Sequence, residues 1–521
     1  MLAVNAASSG KKTVASPNAA YESMQEMWRR SRAACSGEKY VKSYDGVIDT
    51  INFRNLLIPF SPSMTQHQYN FYKAEAEYPG IVAQYAKILV GGLLRKKPQL
   101  SLPDSAPKEA ADWIMNSFGQ DDAPLSAFLD EALWEELQTS RAWIYVDYPN
   151  IPDREKLTNQ DFKKFKPYPI LWDCESVINW RVTTNSSGKQ VLDKVIVRGY
   201  SVVFGDGDKE FHPDYVDTVW VHELIDGRYQ VRVFKEESVA QNVPVVNGQQ
   251  TNTTSRNTPV FKLAETKTGY EMNGKPLDFI PAWPLNGSIE PNEPMLTPIV
   301  DKEIALYNKM SRRNHLLYGA ATYTPVVSSD MSDERFAEIV GAGLGSWIHL
   351  GMGETADVLK TPTDALADME KSIASNIEEM AKLGIRMLTP DTDQSGVALE
   401  IRNASQTAQL GTLNMKISST MAAIIAFMLN WRYDLDLKVS DISFTLSSDF
   451  NPTPLGADWL RLVTEWYQNG LIPRDIWLTI LKINDIVPPD YDDEEGKSKI
   501  NEDELIKDKL TSSLEDKLAK M

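Results

Sequence analysis

Two stretches decide the fold. Residues 295–318 read MLTPIVDKEIALYNKMSRRNHLLY, and residues 362–388 read PTDALADMEKSIASNIEEMAKLGIRML. In the second, Leu366, Met369, Ile373, Ile377, Met380, Leu383 and Met387 recur every three or four residues and form one apolar stripe. Thr361 and Pro362 suit the N-cap and first helical positions. Asp364 and Asp368 near the start, with Lys382 and Arg386 near the end, complement the helix dipole, and Pro390 stops the helix. At about 1.5 Å per residue this helix is roughly 40 Å long. The first stretch carries its own stripe, Leu296, Ile299, Val300, Ile304, Tyr307 and Met310. Its outer face is charged: Asp301, Lys302, Glu303, Lys309, Arg312 and Arg313. Between them lies an insert, 319–361, with β-like runs at 324–327 and 347–350. A polar loop, 389–396, and a third long helix, 397–431, follow. A helical hairpin with a small domain at its tip suits a machine part, such as one subunit of a ring around a channel, better than a catalytic site.

Working outward, 142–283 switches to a period of two. Strands are predicted at 142–147, 168–172, 177–182, 191–200, 215–223 and 228–235. Asp226-Gly227 marks a tight hairpin turn between the last two. A polar loop spans 237–258, and residues 259–283 hold two or three short strands. Towards the N-terminus, 1–20 read as a disordered arm of small polar residues. Helices are predicted at 21–34, 66–94 (broken at Pro79-Gly80), 106–118 and 124–140. Beyond 431 come a strand, 442–446, helices 455–469 and 473–483 with Gly470 between them as a cap, and an acid-rich tail whose residues 500–518 have the pattern of a terminal helix. The fold class is α+β.

The 521 residues suffice for several domains and a large core. A formal charge of −18 argues against gripping nucleic acid over the whole surface, and is compatible with letting DNA slide past. Cys35 and Cys174 provide neither a disulfide framework nor metal-ligand spacing. No leader peptide is expected at the start. The longest uninterrupted apolar run, 421–429, falls short of the ~20 residues a bilayer requires, so no membrane association is expected.

Catalytic signatures are missing. There is no phosphate-binding loop, and Gly341, Gly343 and Gly345 lack dinucleotide spacing. His222-Glu223 does not extend to a zinc-helix motif, because Asp226 holds the second histidine position. No G-x-S-x-G elbow occurs, and Ser36 to Lys39 matches S-x-x-K without its partner motifs. Asp121-Asp122 and Glu135-Glu136 read as solvated helix faces rather than acid–base pairs. Trp172, Trp180, Trp220 and Trp283 read as core. No cofactor and no metal are expected.

The order of elements resembles the portal proteins of tailed bacteriophages, most of all the podovirus type. The segments that carry the resemblance are 69–73 through 83–98, ending GGLLRKKP; 279–285, FIPAWPL, with 293–298, EPMLTP, before the first long helix; TPVV at 324–327; 358–388; NPTPL at 451–455; and 466–476, containing NGLIPRDI. The resemblance implies a portal-type fold: a wing over 21–293 (helical to 140, β-rich over 142–283), a stem made of 294–318 and 362–388, and a clip over 319–361. It further implies a tunnel loop over 389–396, a long wing helix with its following strand over 397–450, and a crown with the acidic tail over 451–521. The implied assembly is a ring of twelve copies at one capsid vertex. Double-stranded DNA would pass through it during packaging and ejection. The implied partners are the terminase large subunit, a head–tail adaptor or tail proteins, and the major capsid and scaffolding proteins. The implied location is the virion, after assembly in the host bacterial cytoplasm.

On this reading Asp391, Asp393 and Gln394 of the loop face the channel. Asp391 and Asp393 form acidic rings that favour sliding over binding. Lys371, Lys382 and Arg386 offer transient phosphate contacts, and Thr324, Val326, Trp347 and His349 of the clip meet the partners. The rival expectation is a large soluble hydrolase with its site within 142–235, in a concave pocket of paired acids. A third is a virion adaptor without a channel role, which would lack the long hairpin.

Overall fold

The computed structural model describes residues 12–44, 55–149, 165–184, 188–205, 208–239, 258–272, 274–321, 324–328, 355–359, 365–383, 396–447 and 457–483, with isolated residues 332, 334 and 487. Helix and strand are mixed in the α+β manner, and the chain divides into two compact units, Met1–Ser447 and Ser448–Met521.

The first unit opens with helices α1 (Ala19–Ser36), α2 (Glu38–Ser43), α3 (Gln66–Glu75) and α4 (Ile81–Leu93), then strand β1 (Gln99–Ser101) and helices α5 (Lys108–Asn116) and α6 (Leu125–Thr139). Local chemistry sets these ends. Asn18 caps α1, its Oδ1 accepting the Tyr21 N–H at 2.8 Å. Thr65 and Gln68 form a reciprocal capping box at the start of α3. Gly80, in the left-handed region at φ 68°, separates α3 and α4 where Pro79-Gly80 predicted a break. Part of the stretch expected to be a disordered arm is ordered. Residues 12–20 are placed, α1 begins at Ala19, and the Asn18 N–H donates to the Ile178 carbonyl at 3.1 Å.

Strands β2 (Trp143–Asp147) and β3 (Tyr168–Trp172) pair antiparallel, with β11 (Ala282–Pro284) on the other edge of β2. Strands β4 (Val177–Thr184), β5 (Gln190–Val203), β6 (Asp214–Ile225), β7 (Arg228–Val239) and β8 (Thr258–Lys267) form a five-stranded antiparallel meander. A short helix, α7 (Asp208–Phe211), lies between β5 and β6. The turn between β6 and β7 is the predicted one. Asp226 and Gly227 both have positive φ, 51° and 72°, and Ile225 pairs with Arg228, as a two-residue turn of the I′ kind requires. Strand β7 runs to Val239, so the loop expected from 237 starts later. Two-residue strands β9 (Glu271–Met272) and β10 (Lys275–Pro276) precede β11.

Helix α8 (Thr297–Ala321) follows, then strands β12 (Thr324–Ser328) and β13 (Thr355–Leu359), helix α9 (Leu366–Lys382) and the 38-residue helix α10 (Gly396–Tyr433). Strand β14 (Ser443–Thr445) closes the unit by pairing with β1. From Leu410 to Tyr433, α10 is long and apolar enough to cross a membrane, which counting uninterrupted runs had missed. Here it is a core helix. Ile417, Met421, Ile424, Met428 and Leu429 are fully buried, and Phe427 packs against Phe279, Trp283 and Trp431 at ring-centroid distances of 4.9–5.3 Å. The second unit holds α11 (Ala457–Gln468) and α12 (Arg474–Ile483). Gly470 at φ 72° turns the chain between them, and Tyr467 stacks on Trp477 at 4.7 Å.

Candidate functional site

The candidate site is the hairpin α8/α9 with the strand pair at its end. Pro298, next to the N-terminus of α8, needs no amide donor there, and the Leu296 carbonyl receives the Ile299 and Val300 N–H groups at 3.0 and 2.9 Å. Leu296, Ile299, Val300, Ile304, Leu306 and Tyr307 are buried, matching the predicted stripe and extending it.

Glu303 departs from expectation. It is fully buried rather than on the charged outer face. Its carboxylate accepts the Ile81 and Val82 N–H groups at 2.5 and 3.0 Å and the Tyr78 hydroxyl at 2.7 Å. It therefore caps α4 from another helix, supplying what Gly80 lacks a side chain to give. Burial raises its pKa, against the opposing pull of Tyr78 and the amides. This one residue ties α8 to α4.

Asp301 pairs with Arg30 of α1 at 2.6 Å, while three cations of α8 zip it to α9. Lys302 pairs with Glu379, the Lys309 ammonium reaches the Ser372 carbonyl at 3.4 Å, and Arg313 pairs with Glu370 at 3.0 Å. As one number rises the other falls, so the helices run antiparallel in register. Asn376, buried in the seam, donates to the Lys302 carbonyl at 3.0 Å. Helix α9 covers less of itself than its stripe predicted. Met380 is buried and Leu366, Met369 and Ile373 are half-buried, whereas Ile377 and Leu383 are exposed; Met387 lies outside the described residues. At the far end β12 and β13 pair from Thr324↔Leu359 to Ser328↔Thr355. The run at 324–327 was read correctly. The run at 347–350 lies outside the described residues, and β13 at 355–359 was not anticipated.

The singled-out residues are distributed as follows. Lys371 is exposed on α9, 3.5 Å from Asp368 one turn earlier. Lys382 is the last residue of α9. Thr324 and Val326 occupy β12 opposite Leu359 and Asp357. Arg386, Asp391, Asp393, Gln394, Trp347 and His349 lie outside the described residues, as do Thr361, Pro362 and Pro390. Sequence reading missed the carboxylates Glu370 and Glu379. The signal was partial: Lys302 and Arg313 near the two ends of one helix face Glu379 and Glu370 near the opposite ends of the next, at spacings of eleven and nine residues.

The β-rich section, where a hydrolase would keep its site, is built differently. His222 is buried and hydrogen-bonded through Nδ1 to the Tyr229 hydroxyl at 2.7 Å; burial lowers its pKa to about 3, holding it neutral. Glu223 pairs with Arg232 and Lys194 at 2.6 and 2.9 Å. A cavity of about 670 Å³ is lined by three carboxylates, Asp147, Glu265 and Glu271, with Tyr168, Lys267, Tyr270 and Trp431; of the three acids only Asp147 falls within 142–235. Glu135 and Glu136 correct the expectation of a solvated face, since both are buried. Arg32 grips both Glu135 oxygens at 2.9 and 2.8 Å and Glu175 at 2.6 Å. Glu136 accepts the Ala142 N–H and the Asn286 amide, each at 2.9 Å, and burial pushes its pKa up to about 8. Glu135, Cys174 and Glu175 bring ligand-type atoms within 4.8 Å of one another. Arg32 already supplies the positive charge there, and burial raises the Cys174 thiol well above its usual range, so the donor set suits an ion-pair hub rather than a metal.

Residues 294–432 match a family model described as a domain of unknown function, DUF4055. No curated protein matches the chain. Solved chains that resemble it include three from gene transfer agent particles. One is from the virion of a native gene transfer agent particle, at 10% identity over 75% of this chain and 85% of that one, TM-score 0.37. The second is from the neck of an empty particle computed with C6 symmetry, at 11% over 77% and 88%, TM-score 0.36. The third is from the neck of a native particle computed with C12 symmetry, at 11% over 81% and 95%, TM-score 0.34. TM-scores this low do not establish a common fold. The matched domain of unknown function begins just before α8 and ends at the penultimate residue of α10, so the match spans the hairpin, its tip and the long helix.

Proposed function

We propose that this chain is a portal-type subunit: copies of it form a ring, with twelve as the expected number, around a channel for double-stranded DNA in a phage-like virion. The observation that carries the proposal is the ion-paired antiparallel hairpin α8/α9 with a two-stranded sheet at its free end. A virion adaptor without a channel role would not need that hairpin, and a hydrolase would need a reactive constellation in the β-rich section. In this reading 21–293 is the wing, 294–318 and 362–388 the stem, 319–361 the clip and 389–396 the tunnel loop. The long helix and following strand span 397–450, and the crown with its tail 451–521. The protein acts by guiding DNA rather than by catalysis. The clip, with Thr324, Val326, Trp347 and His349, docks the terminase large subunit during packaging and a head–tail adaptor afterwards. The capsid and scaffolding proteins surround the ring at the vertex, which forms in the bacterial cytoplasm.

Asp391, Asp393 and Gln394 line the channel. The two carboxylates repeat around the ring, where like charge keeps phosphate from sticking. Lys371, Lys382 and Arg386 make brief phosphate contacts that oppose slippage. The test is the double variant Asp391→Asn, Asp393→Asn. Rings form as before, and the rate or completeness of DNA packaging changes. Loss of the ring would show that the loop is a structural joint and contradict the assignment.

A further inference from the structure

Four buried donor nitrogens gather around one guanidinium in the first unit. Arg141 lies between α6 and β2 and is 2% exposed. Its Cζ sits 4.1 Å from the ring centroid of Trp180, 5.4 Å from that of Trp143 and 5.9 Å from that of Trp28. Nη1 donates to the Ile289 carbonyl at 2.9 Å. Nε and Nη2 are buried and meet no acceptor, and the same holds for the indole Nε1 of Trp28 and of Trp143. Burial lowers the Arg141 pKa to about 10, which still leaves the side chain charged at neutral pH. Glu136, whose own burial raises its pKa to about 8, is mostly neutral there and does not balance that charge.

Nε and Nη2 form one edge of a guanidinium, the edge that grips a carboxylate through two parallel hydrogen bonds. Other arginines of this chain use it in that way. Arg32 donates from Nε and Nη2 to the two oxygens of Glu175 at 2.9 and 2.6 Å, and Arg232 to those of Glu223 at 2.6 and 3.0 Å. At Arg141 no carboxylate among the described residues takes that place. The indole faces attract the cation but accept none of its N–H bonds in line, and a buried charge with unmade bonds is costly. Surroundings made of donors select what offsets that cost. A metal cation is repelled. A water molecule accepts from two donors and brings two further hydrogens to a site already rich in them. An anion accepts from every donor and cancels the charge. Burial beneath three indoles restricts it to a small one.

We propose that the Nε/Nη2 edge of Arg141, with the indole N–H groups of Trp28 and Trp143, binds a small monovalent anion of chloride size. The site joins α1, β2, β4 and the approach to α8 at one point, and it does not depend on the ring assembly proposed above. The test exchanges the full-length chain into sodium gluconate, whose anion is too large for the site. Bromide then replaces gluconate stepwise at constant ionic strength while the thermal midpoint is followed. The expected result is an upward shift that saturates, as binding to the native state requires, and that is lost in Arg141→Met. A midpoint that moves linearly with bromide, or moves equally in parent and variant, overturns the proposal. Bromide-soaked crystals of the parent chain give a reading that needs no variant. An anomalous peak against Nε and Nη2 of Arg141 supports the site, and bromide found only elsewhere, or a water on that edge, overturns it.

Discussion

The two helices of the hairpin have similar amphipathic stripes and different fates. Helix α8 is buried along its first half and bolted to the body through Glu303, whose carboxylate caps α4. Among its described side chains helix α9 has Met380 and Asn376 buried; it leaves Ile377 and the following Leu383 exposed, and is held to α8 by ion pairs at the surface. Stripe periodicity measures how much apolar surface a helix offers, not how much its own chain covers. In the ring proposed above, neighbouring copies would cover the surplus on α9.

The contrast between a bolted side and a zipped side can be broken by substitution. The largest effect belongs to the bolts. Removing Arg32 strands the buried Glu135 carboxylate and half-buried Glu175. Burial alone would raise Glu175, and the two-point grip of Arg32 instead holds it below its usual value. Arg32→Ala is expected to cost about 3–5 kcal/mol, the range for breaking a buried pair by removing one partner, read as a lower urea midpoint at unchanged slope.

Next comes pH. Glu136 has an ordinary pKa of 4.5 when unfolded and about 8 when buried in the native chain. Between those values the native state binds the extra proton, so stability is full below about pH 4.5 and falls as pH rises towards 8. Glu136→Gln keeps an acceptor for the Ala142 N–H, so thermal melts of this variant across that window are expected to fall less with pH than those of the parent. An unchanged pH slope would mean that Glu136 is ionised throughout.

The smallest effect belongs to the zipper. Lys302 and Glu379 are 40% and 47% exposed, and a double-mutant cycle on this pair is expected to give a coupling of about 0.5 kcal/mol that fades in high salt. A coupling of several kcal/mol would make α9 as firmly bolted as α8 and erase the contrast.

Elements governed by neighbours in sequence were legible. The Asp226-Gly227 turn, the strands around it, the break at Gly80 and the third long helix all follow from local periodicity and turn chemistry. What was not legible depends on partners far along the chain. Glu135 and Glu136 look like a solvated pair until Arg32, Ala142, Cys174 and Asn286 close over them. Glu303 looks like one more surface charge until Tyr78 and the start of α4 arrive from more than two hundred residues away. Strand β13, Thr355–Leu359, has no strong alternation and gains its identity from pairing with β12. The candidate site was visible as a hairpin from its two stripes, while the ion pairs that set its register became visible only once the helices were laid antiparallel.

The most direct measurement is the native mass of the purified full-length chain, of 58.6 kDa per copy, with negative-stain images of the same sample. The account predicts a closed ring with a central hole and a mass near twelve copies. A species that remains a monomer or dimer at every salt concentration, with no ring in the images, would contradict it.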